Sequence, residues 1–258
     1  MKKRVQREVD ELFSQEKDAV ITRKITEEDL EGLPEPVQRY LRYTQIIGKE
    51  KARTVRLKQR GLFRTKPDQK WMPLKAEEYF TVDPPGFLWF GKMRMFPFVT
   101  VSGIDKFLGD KGSLVIKLMS AIKVVDAKGE EYDQAELVRF LNEMVWFPSA
   151  FLSDYIHWEP VNSESVKATL AIDGLSATAL LSFNQEGQIT NFVAERYMDM
   201  NGVPILKKWS TPFKEYAEVN GIMVPVQGEG VWKLSTGDFT YVKITGIPVL
   251  EYNNPNMF

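Results

Sequence analysis

The stretch Asp133-Gln-Ala-Glu-Leu-Val-Arg-Phe-Leu-Asn-Glu-Met-Val-Trp-Phe-Pro148 decides the fold, because it interrupts a chain that otherwise alternates. Leu137, Phe140, Leu141 and Met144 recur at helical spacing, and the aromatic turn Trp146-Phe147-Pro148 ends the run. On both sides the period is two and the turns are short. Such a chain builds a large antiparallel sheet with one helical insertion, 131–153, lying across it. The expected class is α+β: a single large curved antiparallel sheet, an incomplete barrel, with N-terminal helices and that one insertion.

Working outward, the strands before the insertion are expected at 53–64, 70–82, 87–95, 97–108 and 112–125. Asp83-Pro84-Pro85-Gly86 and Gly109-Asp110-Lys111-Gly112 mark turns between them. After the insertion, strands are expected at 155–162, 165–173, 176–184, 188–200, 207–219, 221–234 and 238–252. Their turns carry Asp173-Gly174, Glu186-Gly187, Asn201-Gly202, Asn220-Gly221 and Thr236-Gly237-Asp238, the residues that tight hairpins require. Short turns in succession predict a meander of roughly ten to twelve neighbouring strands. The sheet domain spans 49–258, and 1–48 forms an N-terminal helical segment packed on it.

Within that segment, Val5, Val9, Leu12 and Phe13 follow helical spacing in 1–17. This helix either docks on the sheet or, through Lys2, Lys3, Arg4 and Arg7, meets a partner or membrane surface. Thr26 and Asp29 fit a capping box, Pro34 and Pro36 restart the helix, and Val37, Tyr40 and Leu41 carry its apolar stripe to Gly48.

Two strands lack a polar face. In 87–95, Phe87, Trp89, Met93 and Met95 oppose Leu88 and Phe90. In 112–125, Leu114, Ile116, Leu118 and Ile122 oppose Val115, Met119 and Val125. Strands apolar on both sides must be covered twice, here by the core and by the inserted helix or a ligand.

Composition narrows the chemistry. With 43% apolar residues, including 16 Phe, 9 Tyr and 6 Trp, the 258-residue chain can bury a substantial core. A net charge of −1 gives no global case for nucleic acid or for an anionic membrane, and no nucleic-acid partner is expected. There is no cysteine, which removes disulfides, thiolate metal sites and cysteine nucleophiles. No apolar run approaches the roughly 20 residues that span a bilayer, and the N-terminus does not read as a signal peptide. The chain as it stands is expected to be cytoplasmic, and extracytoplasmic or membrane-anchored if it is a piece of a longer one.

The single histidine, His157, shares a strand face with Glu159, but a zinc site needs more ligands, so no metal is expected. No Gly-x-Ser-x-Gly elbow accompanies it. Asp154, Glu159, Glu195 and Asp199 are candidate carboxylates, and Glu195 and Asp199 stand about 13 Å apart along one strand face, too far for a catalytic pair. His157, Glu159, Glu195 and Arg196 together form a possible polar site. No phosphate-binding glycine loop is present, so no cofactor is expected.

Two local features remain. Arg56, Lys58, Arg60 and Arg64 make one face of strand 53–64 basic; it either contacts nucleic acid or lipid headgroups, or is a solvated face paired with Glu77 and Glu78. The aromatic turn, continued by Phe151, is either helix-to-sheet packing or a flap over an apolar cavity with adaptable methionine walls.

Taken together, Leu33-Pro-Glu-Pro-Val-Gln-Arg-Tyr-Leu41, Gln59-Arg-Gly61, Trp71-Met-Pro73, Phe80-Thr-Val-Asp-Pro-Pro-Gly-Phe-Leu-Trp89, Ala135-Glu-Leu-Val-Arg-Phe-Leu141, Trp146-Phe-Pro148, Glu195-Arg-Tyr197, Trp209, Tyr241 and Tyr252-Asn253 resemble a family of bacterial and archaeal proteins classified as a domain of unknown function. The resemblance covers most of the chain and implies no catalytic residue. Some members carry an N-terminal membrane segment, and this chain departs from them there. By architecture the expected fold also resembles carriers that ferry lipoproteins or lipids in bacterial envelopes.

The function expected is non-enzymatic: binding or carriage of an apolar or amphiphilic molecule, such as a lipid, between the sheet and the insertion. Trp89, Met93, Met144, Trp146, Phe147 and Phe151 would contact it. The alternatives are a hydrolase or isomerase using acidic residues near His157, and a peripheral interaction module using strand 53–64.

Overall fold

A computed structural model of the chain describes residues 2–16, 23–97, 99–119, 122–200 and 202–254. Sequence expectations touching Met1, Lys17, Phe98, Ser120, Ala121 and Asn201, and those for the side chains of Lys2 and Lys3, lie outside the described residues.

The alternating segments form one antiparallel sheet of 13 strands. Before the insertion come β1 (Thr54–Phe63), β2 (Met72–Thr81), β3 (Gly86–Phe96), β4 (Val99–Leu108), β5 (Lys111–Leu118) and β6 (Ile122–Lys128). After it come β7 (Ile156–Asn162), β8 (Ser165–Ile172), β9 (Leu175–Phe183), β10 (Ile189–Met200), β11 (Val203–Val219), β12 (Ile222–Leu234) and β13 (Gly237–Tyr252). Each strand within the two halves pairs with its sequence neighbour, and β1 pairs with β13, for example Leu57 opposite Leu250, which joins the two meanders. β6 and β7 are left as the free edges.

Three boundaries differ from those expected. The span 112–125 is two strands, because the chain reverses after Met119, a non-glycine residue at φ 50°. No glycine, proline or asparagine marks that reversal, so the pattern reads as one run. β11 begins at Val203 rather than 207, extending the β10–β11 hairpin with Met200 opposite Val203. The inserted helix begins at Glu130, a residue before the expected insertion, and Asp133 docks its first turn on the sheet, accepting 2.7 Å from the Gly112 amide and 3.0 Å from Lys111 Nζ. Gly112 is needed there, because a Cβ would overlap the Tyr132 carbonyl.

Three helices pack on this sheet. α1 (Lys2–Phe13) lays Val5, Val9 and Leu12 against Tyr79, Leu88 and Ile104 on one face of β2–β4. It, rather than the insertion or a ligand, covers the Leu88 and Phe90 side of β3. α2 (Glu35–Tyr43) buries Val37, Tyr40 and Leu41 completely. It follows a short turn capped reciprocally by Thr26 and Asp29, and sits where the β11–β12 turn brings the Met223 amide 3.1 Å from the Thr44 carbonyl. α3 (Glu130–Glu143) lies on the opposite face of the sheet from α1, touching β4–β6 on one side and β9–β11 on the other. The sheet therefore curls round the helix, and the main core fills the space between them.

Candidate functional site

The aromatic turn is part of that core. Phe147, with no exposed surface, packs 4.7 Å from Phe80 and 5.7 Å from Phe140 between ring centroids, and Phe151 meets Tyr40 and Trp158. Met144 is equally enclosed. Met144 and Phe151 lie in packed protein, and Phe147 borders a cavity of about 340 Å³ beside Ile46, Ala52 and Ile222, apart from the one that α3 covers. Trp146 is different: it reaches the wall of the cavity under α3, its Nε1 donating 3.0 Å to the Pro225 carbonyl while Tyr252 Oη donates 2.6 Å to its own carbonyl.

That cavity, of about 320 Å³, lies between α3 and the concave face of the sheet. Its walls are apolar: Met72, Leu74, Met93 and Val101 on one side, Met198, Phe213, Trp232 and Ile244 on the other. Trp89 lies flat over Gly91, where a Cβ would overlap the indole ring, and its Nε1 donates 3.1 Å to Gln59 Oε1. Trp89, Met93 and Trp146 are thus brought together at one cavity, while Met144, Phe147 and Phe151 support it from behind.

The floor is charged. Arg139 of α3 donates 2.8 Å to Glu78 Oε1 on β2, 2.6 Å to Asp105 Oδ2 on β4 and 2.9 Å to Glu143 Oε1 one turn along the helix. Its guanidinium also faces the rings of Phe87 and Trp89, at 4.9 and 5.3 Å. Beside it, Arg196 of β10 donates 2.9 Å to the Ala135 carbonyl and 3.2 Å to each oxygen of Glu136, and lies 4.9 Å from the Trp209 ring.

Four carboxylates surround two guanidiniums, and protons restore the balance. Burial, and then the charge of Glu143, push the Glu78 carboxyl well above its ordinary range. Burial, and then Asp105, push Glu136 up to about 8. Burial works against the charge of Arg139, but Glu143, Glu78 and Asp105 outweigh it and hold the guanidinium protonated. Asp105, only 7% exposed, keeps Oδ1 without a hydrogen-bond donor among the described residues. A buried acceptor left so is unusual in folded proteins, and a ligand donor at the cavity floor would satisfy it.

The other sequence candidates do not converge. His157 and Glu159 are exposed on β7, where Glu159 pairs with Lys167 at 2.6 Å. Glu195 is exposed on β10, three strands away, and only Arg196 turns inward. Their grouping fails because adjacent strand positions face opposite sides. The basic face of β1 is largely neutralised: Arg56 binds Glu77 and, at 3.0 Å, Glu251, while Lys58 stands 3.7 Å from Glu77. Arg60 is exposed, and Arg64 folds over the Trp71 ring at 4.5 Å. Glu78, expected on that outer face, points inward to Arg139 instead.

The floor residues Glu78, Asp105, Glu136, Arg139 and Glu143 were not anticipated. A signal existed: Glu78 occupies the same alternation as Met72, Leu74 and Ala76, and Asp105 the same as Val101 and Phe107. Charges at inward strand positions need inward partners.

The chain belongs to the DUF6544 family. That family, one of unknown function, matches residues 23–244. No curated protein matches the sequence. A crystal structure of the LolA superfamily protein NE2245 from Nitrosomonas europaea covers 84% of this family member and 92% of its own chain, at 9% identity and a TM-score of 0.36. So slight a likeness has no bearing on function. Among the described residues, no helix of this DUF6544 protein is long and apolar enough to cross a membrane.

Proposed function

We propose that the protein is a non-enzymatic binding or carrier protein for an amphiphilic small molecule. Its apolar part lies among Leu74, Trp89, Met93 and Trp146, and its head group meets the charged floor. The observation that carries this reading is the cavity itself: about 320 Å³, walled by methionine and aromatic side chains and ending on Asp105, Arg139 and Arg196. That volume falls in the range of small-molecule sites, which pair apolar walls with a few fixed polar groups. Methionine walls adapt to chains of different shape. The unmet Asp105 Oδ1 favours a head group that donates a hydrogen bond, such as a hydroxyl or amine.

Mass spectrometry of organic extracts from protein purified without detergent tests this. The reading expects an amphiphile in stoichiometric amount, displaced by an apolar fluorescent probe. Protein that carries nothing and takes up no probe would count against it.

A further inference from the structure

The exposed residues among those lining the cavity, Thr65, Met95 and Asp199, mark its mouth. Thr65 belongs to the β1–β2 connection, Met95 to the end of β3 and Asp199 to the end of β10. The cavity therefore opens between the β1–β2 and β3–β4 hairpin ends on one side and the β10–β11 hairpin end on the other.

The β1–β2 end is polar, but the β3–β4 and β10–β11 ends are apolar where exposed hairpin ends are ordinarily polar. Phe96, beside Met95, is 62% exposed. The β5–β6 end adds Met119, Ile122 and Val124, and is tied to the β3–β4 end by Val101 opposite Leu118 and by a 2.8 Å bond from the Met119 amide to the Thr100 carbonyl. Across the mouth, Met200, Val203, Ile205 and Leu206 are exposed on β10–β11. Elsewhere among the described residues the large exposed hydrophobics are Val161 and Leu180 alone. Scattered apolar side chains on a surface carry no message, but their concentration on the ends that frame an apolar mouth does.

Charge identifies what they meet. Lys66 and Lys70 on the β1–β2 end, Arg94 on β3 and Lys117 on β5 have no carboxylate partner among the described residues and outnumber the exposed Asp68 and Asp199 on the ends around the mouth, although the chain as a whole carries a net charge of −1. Apolar tips on separate projections, with cations among them, fit a fluid anionic surface better than the continuous patch of a rigid protein partner. We propose that the β3–β4, β5–β6 and β10–β11 hairpin ends, with the basic β1–β2 end beside them, dock on an anionic lipid membrane, apolar tips in the headgroup layer and basic residues on lipid phosphates. The cavity then opens onto the bilayer, where an amphiphile passes between membrane and protein without crossing water. This purpose rests on the carrier reading; the docking itself is measured separately.

The test is co-sedimentation with vesicles of phosphatidylcholine alone and with added phosphatidylglycerol, run beside uptake of an apolar fluorescent probe without vesicles. The wild type is expected to bind the anionic vesicles at least about tenfold more tightly than the neutral ones. Phe96→Asp combined with Ile205→Asp, and separately Lys70→Glu combined with Arg94→Glu, should each weaken that binding about tenfold or more while leaving probe uptake and the unfolding midpoint unchanged. Absence of binding to anionic vesicles, or binding indifferent to both variants, overturns the docking proposal. So does a concentration-dependent dimer that Phe96→Asp abolishes without any vesicle binding. Docking without probe uptake supports the membrane surface and counts only against the cavity reading.

Discussion

Arg139 of the inserted helix donates a 2.8 Å hydrogen bond to Glu78 of β2, a carboxylate with no exposed surface. Because Arg139 also holds Asp105 and Glu143, it fastens α3 to two strands of the curved sheet and forms the cavity floor. Arg139→Ala leaves buried carboxylates facing one another and should cost about 3–5 kcal/mol of stability. Urea denaturation checks this, and a loss under about 1 kcal/mol would place the network outside the structural core.

The floor also makes stability depend on pH. The folded chain keeps the Glu136 proton up to about pH 8, whereas an unperturbed glutamate releases it near 4.5. Between those values the folded state binds more protons than the unfolded, so this contribution is complete below the window and lost as pH rises through it. Glu78, shifted the same way, adds the same sign. Unfolding midpoints at about pH 5.5 and about pH 8.5 should therefore differ less for Glu136→Gln than for the wild type. An unchanged difference contradicts the assignment.

Gly91 has a single use in this fold, to let the Trp89 indole lie across it. Gly91→Ala should lift the ring from the wall and break its bond to Gln59 Oε1. A changed tryptophan emission maximum and weaker probe uptake are expected, and uptake equal to the wild type would show that the wall does not depend on this placement.

Trp146 and Phe147 separate packing from lining. Either residue changed to alanine should cost about 3–5 kcal/mol, since both are large and buried. Probe affinity of the folded fraction should fall for Trp146→Ala, which faces the cavity, and stay constant for Phe147→Ala, which does not. Equal effects on affinity would mean that the cavity is shaped by the whole turn.

The fold was legible because alternation and glycine turns report local geometry, which the sheet merely repeats. The β5–β6 reversal escaped because Met119 adopts a positive φ without a residue type that announces it. The site was legible only in its apolar part. Trp89 and Met93 follow from the two-sided pattern of β3, but Phe147 and Phe151 look the same in sequence whether a ring meets space or another ring. The charged floor depends on which strands curl to face α3, and no local spacing contains that. Glu78 and Glu77 are adjacent in the chain, yet one meets Arg139 in the interior and the other Arg56 on the far face.

The most direct measurement is the titration of an apolar fluorescent probe into the purified protein and into Ile116→Trp, a substitution of a half-buried wall residue by a larger ring that fills part of the space. Saturable one-to-one uptake by the wild type, weakened about tenfold or more in a variant that still unfolds cooperatively, is the predicted result. No saturable uptake by the wild type, or identical uptake by the filled variant, would contradict a ligand cavity between the sheet and the inserted helix.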